Sequence, residues 1–232
     1  MSRPEQLPLD LPHRPARGME DFLVADCNRS AVAWIDRWPQ WPAPLVVICG
    51  PEACGKSHLV HVWQARSGGS IIDAAELERF DPGAVMGKFA LAIEDAGPGL
   101  SAAGQRNFFH LYNIAGENGG SLLATSRLPP GQWKIAIPDL ASRLAGAPLA
   151  AIGAPDDALL AAVIVKLLAD RQLKVGAEIV SYLVPRIERS FAAVRRIVAA
   201  IDATALAQGR NVTVALVRDV LERTVPDRDG DA

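Results

Sequence analysis

A loop bounded by two glycines and followed by lysine and serine is the part of this sequence best suited to chemistry. Residues 50–57 read Gly-Pro-Glu-Ala-Cys-Gly-Lys-Ser, which is the spacing G-x-x-x-x-G-K-[ST] of a phosphate-binding loop. Gly50 and Gly55 let the backbone curl so that its N–H groups converge on one anion. Lys56 can reach the β- and γ-phosphates of a nucleotide, and the Ser57 hydroxyl can bind Mg²⁺. The alternative is a glycine turn with an exposed lysine.

The stretches on either side of this loop have the patterns that a phosphate site needs. Residues 45–49 are all apolar, which predicts a buried strand, and Leu59, Val60 and Trp63 follow a helical pattern after the loop. A helix that starts here adds its unpaired N-terminal amides and the positive end of its dipole. We therefore predict that a nucleotide is bound by Gly50, Pro51, Glu52, Ala53, Cys54, Gly55, Lys56, Ser57 and His58.

Two carboxylates end a later apolar run. Residues 89–95 read as a buried strand that finishes in Glu94 and Asp95, and the next predicted strand, residues 121–126, finishes in hydroxyls. Acids at the carboxyl end of a core strand in a phosphate-loop protein are placed to hold the Mg²⁺ shell and to orient water. We predict a Mg²⁺ site made by these acids and Ser57. The alternative is that the acid pair marks the exit of the chain to solvent.

Strands and helices alternate along the first two thirds of the chain. Besides the strands already named, short strands are predicted at residues 70–73 and 149–152, with helical patterns between them. This alternation predicts an α/β fold in which a five-stranded parallel sheet is covered by helices on both faces.

A small all-helical subdomain is predicted after Pro155. Apolar residues recur at helical spacing in residues 156–172, 176–187 and 213–223, and Ser190 is placed to cap a further helix. We interpret these apolar stripes as packing faces. The predicted organisation is a flexible leader at 1–18, a nucleotide-binding αβα subdomain at 19–155, a helical lid at 156–225 and a tail at 226–232.

Composition and charge exclude several classes of protein. The formal net charge of −2 gives no general attraction to nucleic acid, so we expect no direct sequence-specific binding to DNA. The three cysteines, Cys27, Cys49 and Cys54, have no metal-like spacing and are interpreted as reduced thiols. Without a long apolar run or a signal-peptide core, the sequence predicts a cytoplasmic protein with no membrane partner.

The leader contains a short motif, Gln-Leu-Pro-Leu-Asp-Leu, at residues 6–11. A glutamine followed by alternating leucines suggests an extended peptide that docks in a groove of a partner, with Gln6 as the polar anchor and Leu9 and Leu11 as apolar anchors. Leu7 lies within the same predicted partner-binding segment. From chemistry alone, a strand or staple that folds back on its own domain is an equal alternative.

Several of these features together resemble an AAA+ ATPase module, and above all the nucleotide-binding part of the bacterial replication initiator DnaA. They are the phosphate loop, the acid-ended and hydroxyl-ended strands, Ser142-Arg143 before the fifth strand, and the helical lid. The resemblance covers about residues 20–223. It implies that adenine is surrounded by the segment before the first strand, which comprises Phe22, Leu23, Val24 and Asn28.

The leader and residues 138–144 are more similar to Hda proteins, the DnaA homologues that inactivate the initiator. DnaA continues into a basic helix-turn-helix domain, and we expect none here because the sequence stops after the lid. The resemblance to Hda implies that the hexapeptide docks on the sliding clamp, the β subunit of DNA polymerase III, left on newly replicated DNA. It also implies that Arg143 acts as an arginine finger on ATP held by DnaA, so that the protein restrains initiation. Without the resemblance, pairing of Arg143 with Asp139 would be preferred.

Some positions depart from the family pattern. Glu94 stands where DnaA-like proteins usually carry the Mg²⁺-binding aspartate, and Asp95 stands where many active enzymes have a longer glutamate. Ala192 falls where the lid arginine that senses nucleotide is expected, although Arg195 and Arg196 follow about one turn later. We therefore expect ADP as the working ligand, or ATP with little turnover by this chain alone.

Two alternatives remain open at this stage. One is a self-sufficient AAA+ ATPase of the helicase-loader type, which cycles its own ATP. The other is a nucleotide-stabilised adaptor that binds clamp and initiator but contributes no catalytic group. A homodimer or a higher oligomer is compatible with either.

Overall fold

The structure is a computed structural model that describes residues 13–14, 22–85 and 87–224. The described chain divides into two compact units, one of residues 13–153 and the other starting at residue 154. In the described residues, no helix has the length and apolar character needed to cross a membrane.

The first unit is built on a parallel sheet. Its elements in chain order are β1 (His13–Arg14), β2 (Phe22–Leu23), α1 (Arg29–Arg37), β3 (Leu45–Cys49), α2 (Lys56–Ser67), β4 (Ser70–Asp73), β5 (Ala90–Glu94), α3 (Ala102–Asn118), β6 (Ser121–Ser126), α4 (Pro138–Gly146) and β7 (Leu149–Ala151). Five strands pair in the order β4-β5-β6-β3-β7, and every pairing is parallel. The predicted five-stranded parallel sheet is therefore confirmed.

Every residue of the two central strands, β3 and β6, is buried. Leu45 and Val47 of β3 share a core cluster with Phe108 and Leu111 of α3. Because successive side chains of a strand point to opposite faces, the intervening Val46 and Ile48 face the other side of the sheet, where they are equally buried. Helix α2 packs on β4, β5 and β6, and α1 packs on α2. Both faces of the sheet are covered, as the continuous apolar strands predict.

Residues 13–14 and 22–23 form an antiparallel pair that the sequence pattern did not predict. His13 lies opposite Leu23, and Arg14 lies opposite Phe22. Two residues of the predicted leader thus pair with the apolar segment that precedes α1. Such short segments lack a periodic side-chain signal, and the backbone N–H and C=O groups that pair are the same in every sequence.

Two tryptophans that follow α1 pack against a third tryptophan on α2. Trp41 stacks on Trp63 of α2 with ring centroids 5.7 Å apart, and Trp38 meets the same ring edge-on at 6.2 Å. The Trp38 indole Nε1 donates to Ser121 Oγ at 3.1 Å, and the Trp41 Nε1 donates to the Trp34 carbonyl at 2.7 Å. These rings are part of the packing between α1, α2 and the start of β6.

The second unit consists of helices. These are α5 (Asp157–Asp170), α6 (Ala177–Leu183), α7 (Phe191–Gln208) and α8 (Val214–Thr224). Ser190 caps α7 by accepting a hydrogen bond from the Ala193 N–H at 3.1 Å, as its position predicts. The chain leaves regular α-helix after Leu183, before Pro185, and continues as a 3₁₀ turn. The apolar stripes meet in one core, which includes Leu160, Ile164, Leu168, Ile179, Val194, Ile197, Val198, Ile201, Val217 and Val220.

One predicted helix is shorter and tighter than its pattern indicated. Residues 74–80 read as a helix, but the structure has a 3₁₀ turn over Ala74–Glu78. Asp73 accepts a hydrogen bond from the Ala75 N–H at 2.8 Å, and Glu76 accepts one from the Asp73 N–H at 2.7 Å. These local carboxylate bonds satisfy the first amides of the turn, and the segment is too short for further α-helical turns.

Candidate nucleotide-binding site

The phosphate loop lies where three neighbouring strands end. The Gly50 N–H donates to the Ser126 carbonyl of β6 at 3.1 Å, and the Ile152 N–H after β7 donates to the Cys49 carbonyl at 2.7 Å. The loop is therefore fixed on both sides at the carboxyl edge of the sheet. In open α/β sheets this edge, at the point where the strand order reverses, is the usual place for a ligand.

The two loop glycines are required for different reasons. A methyl group at Gly50 would lie 2.8 Å from Cys54 Sγ and 2.9 Å from the Ile152 carbonyl oxygen, so a side chain there would push the loop off β7. Gly55 has φ +99°, a conformation that side chains rarely adopt, and its methyl group would lie 2.9 Å from the Phe22 ring. The sequence prediction explained both glycines by backbone curvature, whereas the structure adds close packing at Gly50.

Lys56 begins α2 and is buried. Its Nζ donates to the Gly50 and Pro51 carbonyls, each at 2.8 Å, and lies 3.9 Å from Cys54 Sγ. The lysine thus closes the loop on itself and places its positive charge inside the loop. The predicted alternative of an exposed lysine on a glycine turn is wrong.

The first turn of α2 has features that suit a phosphate. Its N-cap residue, Gly55, has no side chain to accept a hydrogen bond from the first-turn amides, and the turn contains no acidic residue. Ser57 is exposed in this turn. The amides and the positive end of the helix dipole therefore point to a place where an anion fits, and a methyl group at Gly50 or Gly55 would disturb the cradle.

Two thiols lie against this loop. Cys49 ends β3 and Cys54 sits within the loop, and both are buried. Burial raises the pKa of the Cys54 thiol, against a smaller lowering by the nearby Lys56 ammonium. Burial also raises the pKa of the Cys49 thiol, and the neighbouring Cys54 adds to that rise. Both side chains are therefore protonated at neutral pH and serve as small apolar groups in the loop floor.

The predicted Mg²⁺ acids lie at the same edge of the sheet, one strand away from the loop. Glu94 ends β5 and is half-buried, and Asp95 is exposed with φ +53°. The Asp95 N–H donates to the buried Thr125 Oγ1 of β6 at 3.2 Å. A hydroxyl at the end of β6 therefore holds the backbone next to the acids.

Within the described part of the chain, no group of three or more His, Cys, Asp or Glu side chains could hold a metal ion unaided. Mg²⁺ at phosphate sites is commonly bound through one or two carboxylates together with phosphate oxygens and water. Ser57, Glu94 and Asp95 match that donor set, so these residues fit an ion that arrives with a nucleotide.

The segment implied to surround adenine lies beside the loop. The Phe22 ring stacks on the His58 ring, with centroids 5.0 Å apart and an angle of 24° between planes. The Asn28 side chain is buried, where its Oδ1 accepts from the Ala25 N–H at 2.9 Å and its Nδ2 donates to the Leu23 carbonyl at 2.8 Å. Asn28 therefore shapes the backbone of residues 23–28, including Leu23 and Val24, through both of its polar atoms.

Arg143 belongs to α4, whereas the phosphate loop joins β3 to α2. The arginine is exposed in the last turn of α4, and its guanidinium carbon lies 5.6 Å from the centroid of the Tyr112 ring on α3. In the described residues it forms no ion pair with Asp139, so the pairing that the sequence left open is not seen. Nothing in the sequence pattern pointed to Tyr112, because α3 to α4 proximity is a property of the fold.

Other predicted positions are exposed, half-buried or outside the described residues. Glu52 of the loop forms an exposed ion pair with Arg127 at 3.3 Å. Arg195 and Arg196 are exposed on α7, and Ala192 is half-buried there. The predicted docking residues Gln6, Leu7, Leu9 and Leu11 lie outside the described residues.

Comparison with known proteins shows similarity to DnaA and to the lid of Hda proteins. Residues 157–221 match the family model described as "Hda, lid domain". The initiator DnaA of Campylobacter jejuni subsp. doylei is 25% identical over 238 residues, a match that covers 92% of this chain and 54% of the relative. Domain III of the Thermotoga maritima replication initiation protein DnaA superposes with a TM-score of 0.75 at 16% identity, covering 93% of this chain and 100% of that chain. The chain has the AAA+ fold of DnaA domain III, and its helical unit matches the Hda lid model.

A second DnaA structure bears on nucleotide binding. The AMPPCP-bound DnaA from Aquifex aeolicus has a TM-score of 0.65 at 19% identity and covers 80% of this chain and 65% of that chain. At these identities the structural likeness establishes the AAA+ fold. The chain spans about half the length of the DnaA relatives it matches.

Proposed function

We propose that this AAA+ protein is an ADP-bound negative regulator of replication initiation, which stimulates hydrolysis of the ATP held by DnaA. The observation that carries the proposal is the combination of a phosphate loop, a match to the Hda lid at residues 157–221 and an exposed Arg143 that lies over the ring of Tyr112. The loop supplies the nucleotide site of this chain, and Arg143 supplies a cation for a partner.

Arg143 would act as an arginine finger in trans. A planar guanidinium presents five N–H donors and keeps its charge at any physiological pH. Placed at the γ-phosphate of a partner, it would stabilise the charge that develops in the transition state, an effect worth about 10³ to 10⁵ in rate where it has been measured. Exposure of Arg143 at the last turn of α4 supports this role because a second protein can reach it.

The nucleotide of this chain has a structural role in the proposal. Gly50, Gly55, Lys56 and Ser57 would hold ADP, or ATP with little turnover, and Glu94 and Asp95 would hold Mg²⁺. When bound, Mg²⁺ neutralises phosphate charge. Asp95 has a short carboxylate on a backbone held at φ +53°, and this supports weak hydrolysis because a longer glutamate is absent from the position next to the strand end.

The leader would bring the protein to its place of action. Gln6, Leu7, Leu9 and Leu11 would dock as an extended peptide on the DNA-loaded β sliding clamp of DNA polymerase III. The support for this step is the sequence motif at residues 6–11. Tethering to the clamp would raise the local concentration of Arg143 near a DnaA molecule that binds the same DNA.

The decisive experiment measures hydrolysis of DnaA-bound ATP in the presence of DNA-loaded clamp, with and without this chain. We expect stimulation by the wild-type chain and loss of at least 100-fold of it in Arg143→Ala. Arg106→Ala is the matched control, since it removes an exposed arginine from the neighbouring helix α3. If Arg143→Ala stimulates DnaA as well as Arg106→Ala does, the finger assignment is wrong and the adaptor alternative is favoured.

Two further arms separate the remaining alternatives. Combined alanine substitutions at Gln6, Leu9 and Leu11 are expected to abolish clamp binding in a pull-down, whereas Asp10→Ala retains it. Robust ATP hydrolysis by this chain without DnaA, lost in Lys56→Ala, would instead favour a self-sufficient ATPase.

A further inference from the structure

The ring of Tyr112 lies close to the guanidinium group of Arg143. The ring centroid lies 5.6 Å from the guanidinium carbon, within the range of a cation–π contact. We propose that Tyr112 is a positioning residue, which orders Arg143 so that its N–H donors face a phosphate of the partner. This inference rests on the proposed function of Arg143 and adds a residue that acts through it.

The ring is well placed to impose an orientation. Tyr112 lies on α3 and packs against the core cluster that also contains the buried Leu111 of α3 and the buried Leu140 and Leu144 of α4. The two helices that carry Tyr112 and Arg143 are therefore anchored in one core. A half-buried aromatic ring has only two side-chain torsions, so it loses little freedom when it serves as a platform.

The contact with Tyr112 leaves the N–H donors of Arg143 available to bind a phosphate. Arg66, in the same unit, shows the opposite arrangement: its guanidinium donates to the Ile35 carbonyl at 3.0 Å, to Asp36 Oδ1 at 3.0 Å and to the Asp36 carbonyl at 3.2 Å. Those bonds use the N–H donors and set a carboxylate beside the charge. The Tyr112 ring carries no formal charge and has no carboxylate or carbonyl oxygen, so it neither neutralises the Arg143 guanidinium nor occupies its N–H donors as Asp36 and Ile35 do for Arg66.

Pre-ordering matters because the finger has to act in a transition state. A long arginine side chain on the surface samples many rotamers, and freezing them at the moment of reaction raises the barrier. A ring that already restricts the side chain removes part of that barrier. The contact is exposed, and exposed cation–π contacts correspond to rate effects of about 2- to 5-fold.

The test uses the full chain in the assay of DnaA-bound ATP hydrolysis with DNA-loaded clamp. Tyr112→Leu is expected to lower the maximal stimulated rate about 2- to 5-fold, and Tyr112→Phe is expected to leave it unchanged. Tyr182→Leu is the matched control, because Tyr182 makes a similar contact with Arg186 at 3.9 Å in the lid. Phenylalanine analogues with increasing fluorine content at position 112 keep the ring shape while they weaken its negative face, so the rate should fall stepwise.

The outcomes distinguish the positioning role of Tyr112 from the proposed finger role of Arg143, on which it rests. A full rate for Tyr112→Leu and for the fluorinated analogues, together with a large loss in Arg143→Ala, would overturn the positioning role and leave the finger in place. An unchanged rate in Arg143→Ala would overturn both. A stepwise loss with fluorination at position 112, together with an unchanged rate in Tyr182→Leu, would support the proposal.

Discussion

Replacing Gly55 by alanine should damage nucleotide binding, whereas the same change at Gly68 should not. The two glycines flank the same helix, with Gly55 at the N-cap of α2 and Gly68 at its C-cap, and both have left-handed φ angles of +99° and +67°. They differ in their surroundings. A methyl group at Gly68 meets nothing within 4 Å, whereas one at Gly55 would lie 2.9 Å from the Phe22 ring.

The magnitudes follow from these two environments. Left-handed backbone costs an L-residue roughly 1–2 kcal/mol, and the reduced entropy of the unfolded chain offsets about 0.4–1 kcal/mol of that. Gly68→Ala should therefore lower the free energy of unfolding by about 1 kcal/mol. Gly55→Ala should lower it by about 2 kcal/mol, because Phe22 must also leave its stack on His58, and an aromatic pair contributes about 0.5–1.5 kcal/mol.

The effect on ADP should be larger than the effect on folding. The shift at Gly55 moves the amides that would face a phosphate, and each hydrogen bond to a charged group contributes about 1.5–3 kcal/mol. We expect at least a tenfold weaker affinity for ADP in Gly55→Ala and less than a threefold change in Gly68→Ala, measured by titration calorimetry alongside urea unfolding of the nucleotide-free protein. Equal losses of affinity in the two variants, or normal binding by Gly55→Ala, would refute the assignment of the loop as the phosphate cradle.

Two other predictions concern the same loop. Lys56→Met keeps the apolar stem but removes the ammonium that donates to the Gly50 and Pro51 carbonyls, so ADP affinity should fall at least tenfold, while Lys134→Met, a change at an exposed lysine, should bind normally. Because burial raises the pKa of the Cys49 and Cys54 thiols above the unfolded value of 9.0, the native state keeps protons that the unfolded state releases at high pH. The contribution of these two thiols to the free energy of unfolding is therefore fully present below about pH 9 and is lost as the pH rises above that value. Urea unfolding from pH 7 to 10.5 should show a shallower loss in the double variant Cys49→Ala, Cys54→Ala, and an equally steep loss in that variant would contradict the burial argument.

Much of the sheet was predictable because its sequence signal is local. The runs 45–49, 70–73 and 121–126 match β3, β4 and β6 residue for residue. The two central strands, β3 and β6, are buried along their whole length, and apolar runs are typical of such strands. The helices of the lid were predictable for a similar reason, because their stripes and the Ser190 cap are visible within one turn of sequence. Pairing of residues 13–14 with 22–23 was not, since it depends on backbone groups with no side-chain pattern.

The site was predictable only as far as motifs reach. The residue types of the phosphate loop are set by the chemistry of phosphate binding, so the sequence predicts them directly. The roles of Phe22, Asn28 and Thr125 depend on which neighbours the fold supplies: a ring on His58, two local backbone bonds, and the amide of Asp95. These contacts join residues up to 36 positions apart, and no spacing rule in a single sequence encodes them.

The proposed function requires a protein that holds a nucleotide and turns it over slowly, and the strand order is compatible with that combination. The phosphate loop follows β3, which lies between β6 and β7 in the sheet. The Gly50 amide joins the start of the loop to β6, and the Ile152 amide joins the end of β3 to the residue after β7. The acids that would direct hydrolysis end β5, on the far side of β6, and the bond from the Asp95 N–H to Thr125 Oγ1 joins them to that strand. Changes in the length or position of those carboxylates therefore leave the loop contacts intact. Binding and hydrolysis can diverge independently in such a sheet, which is the combination that a regulator acting on the nucleotide of another protein requires.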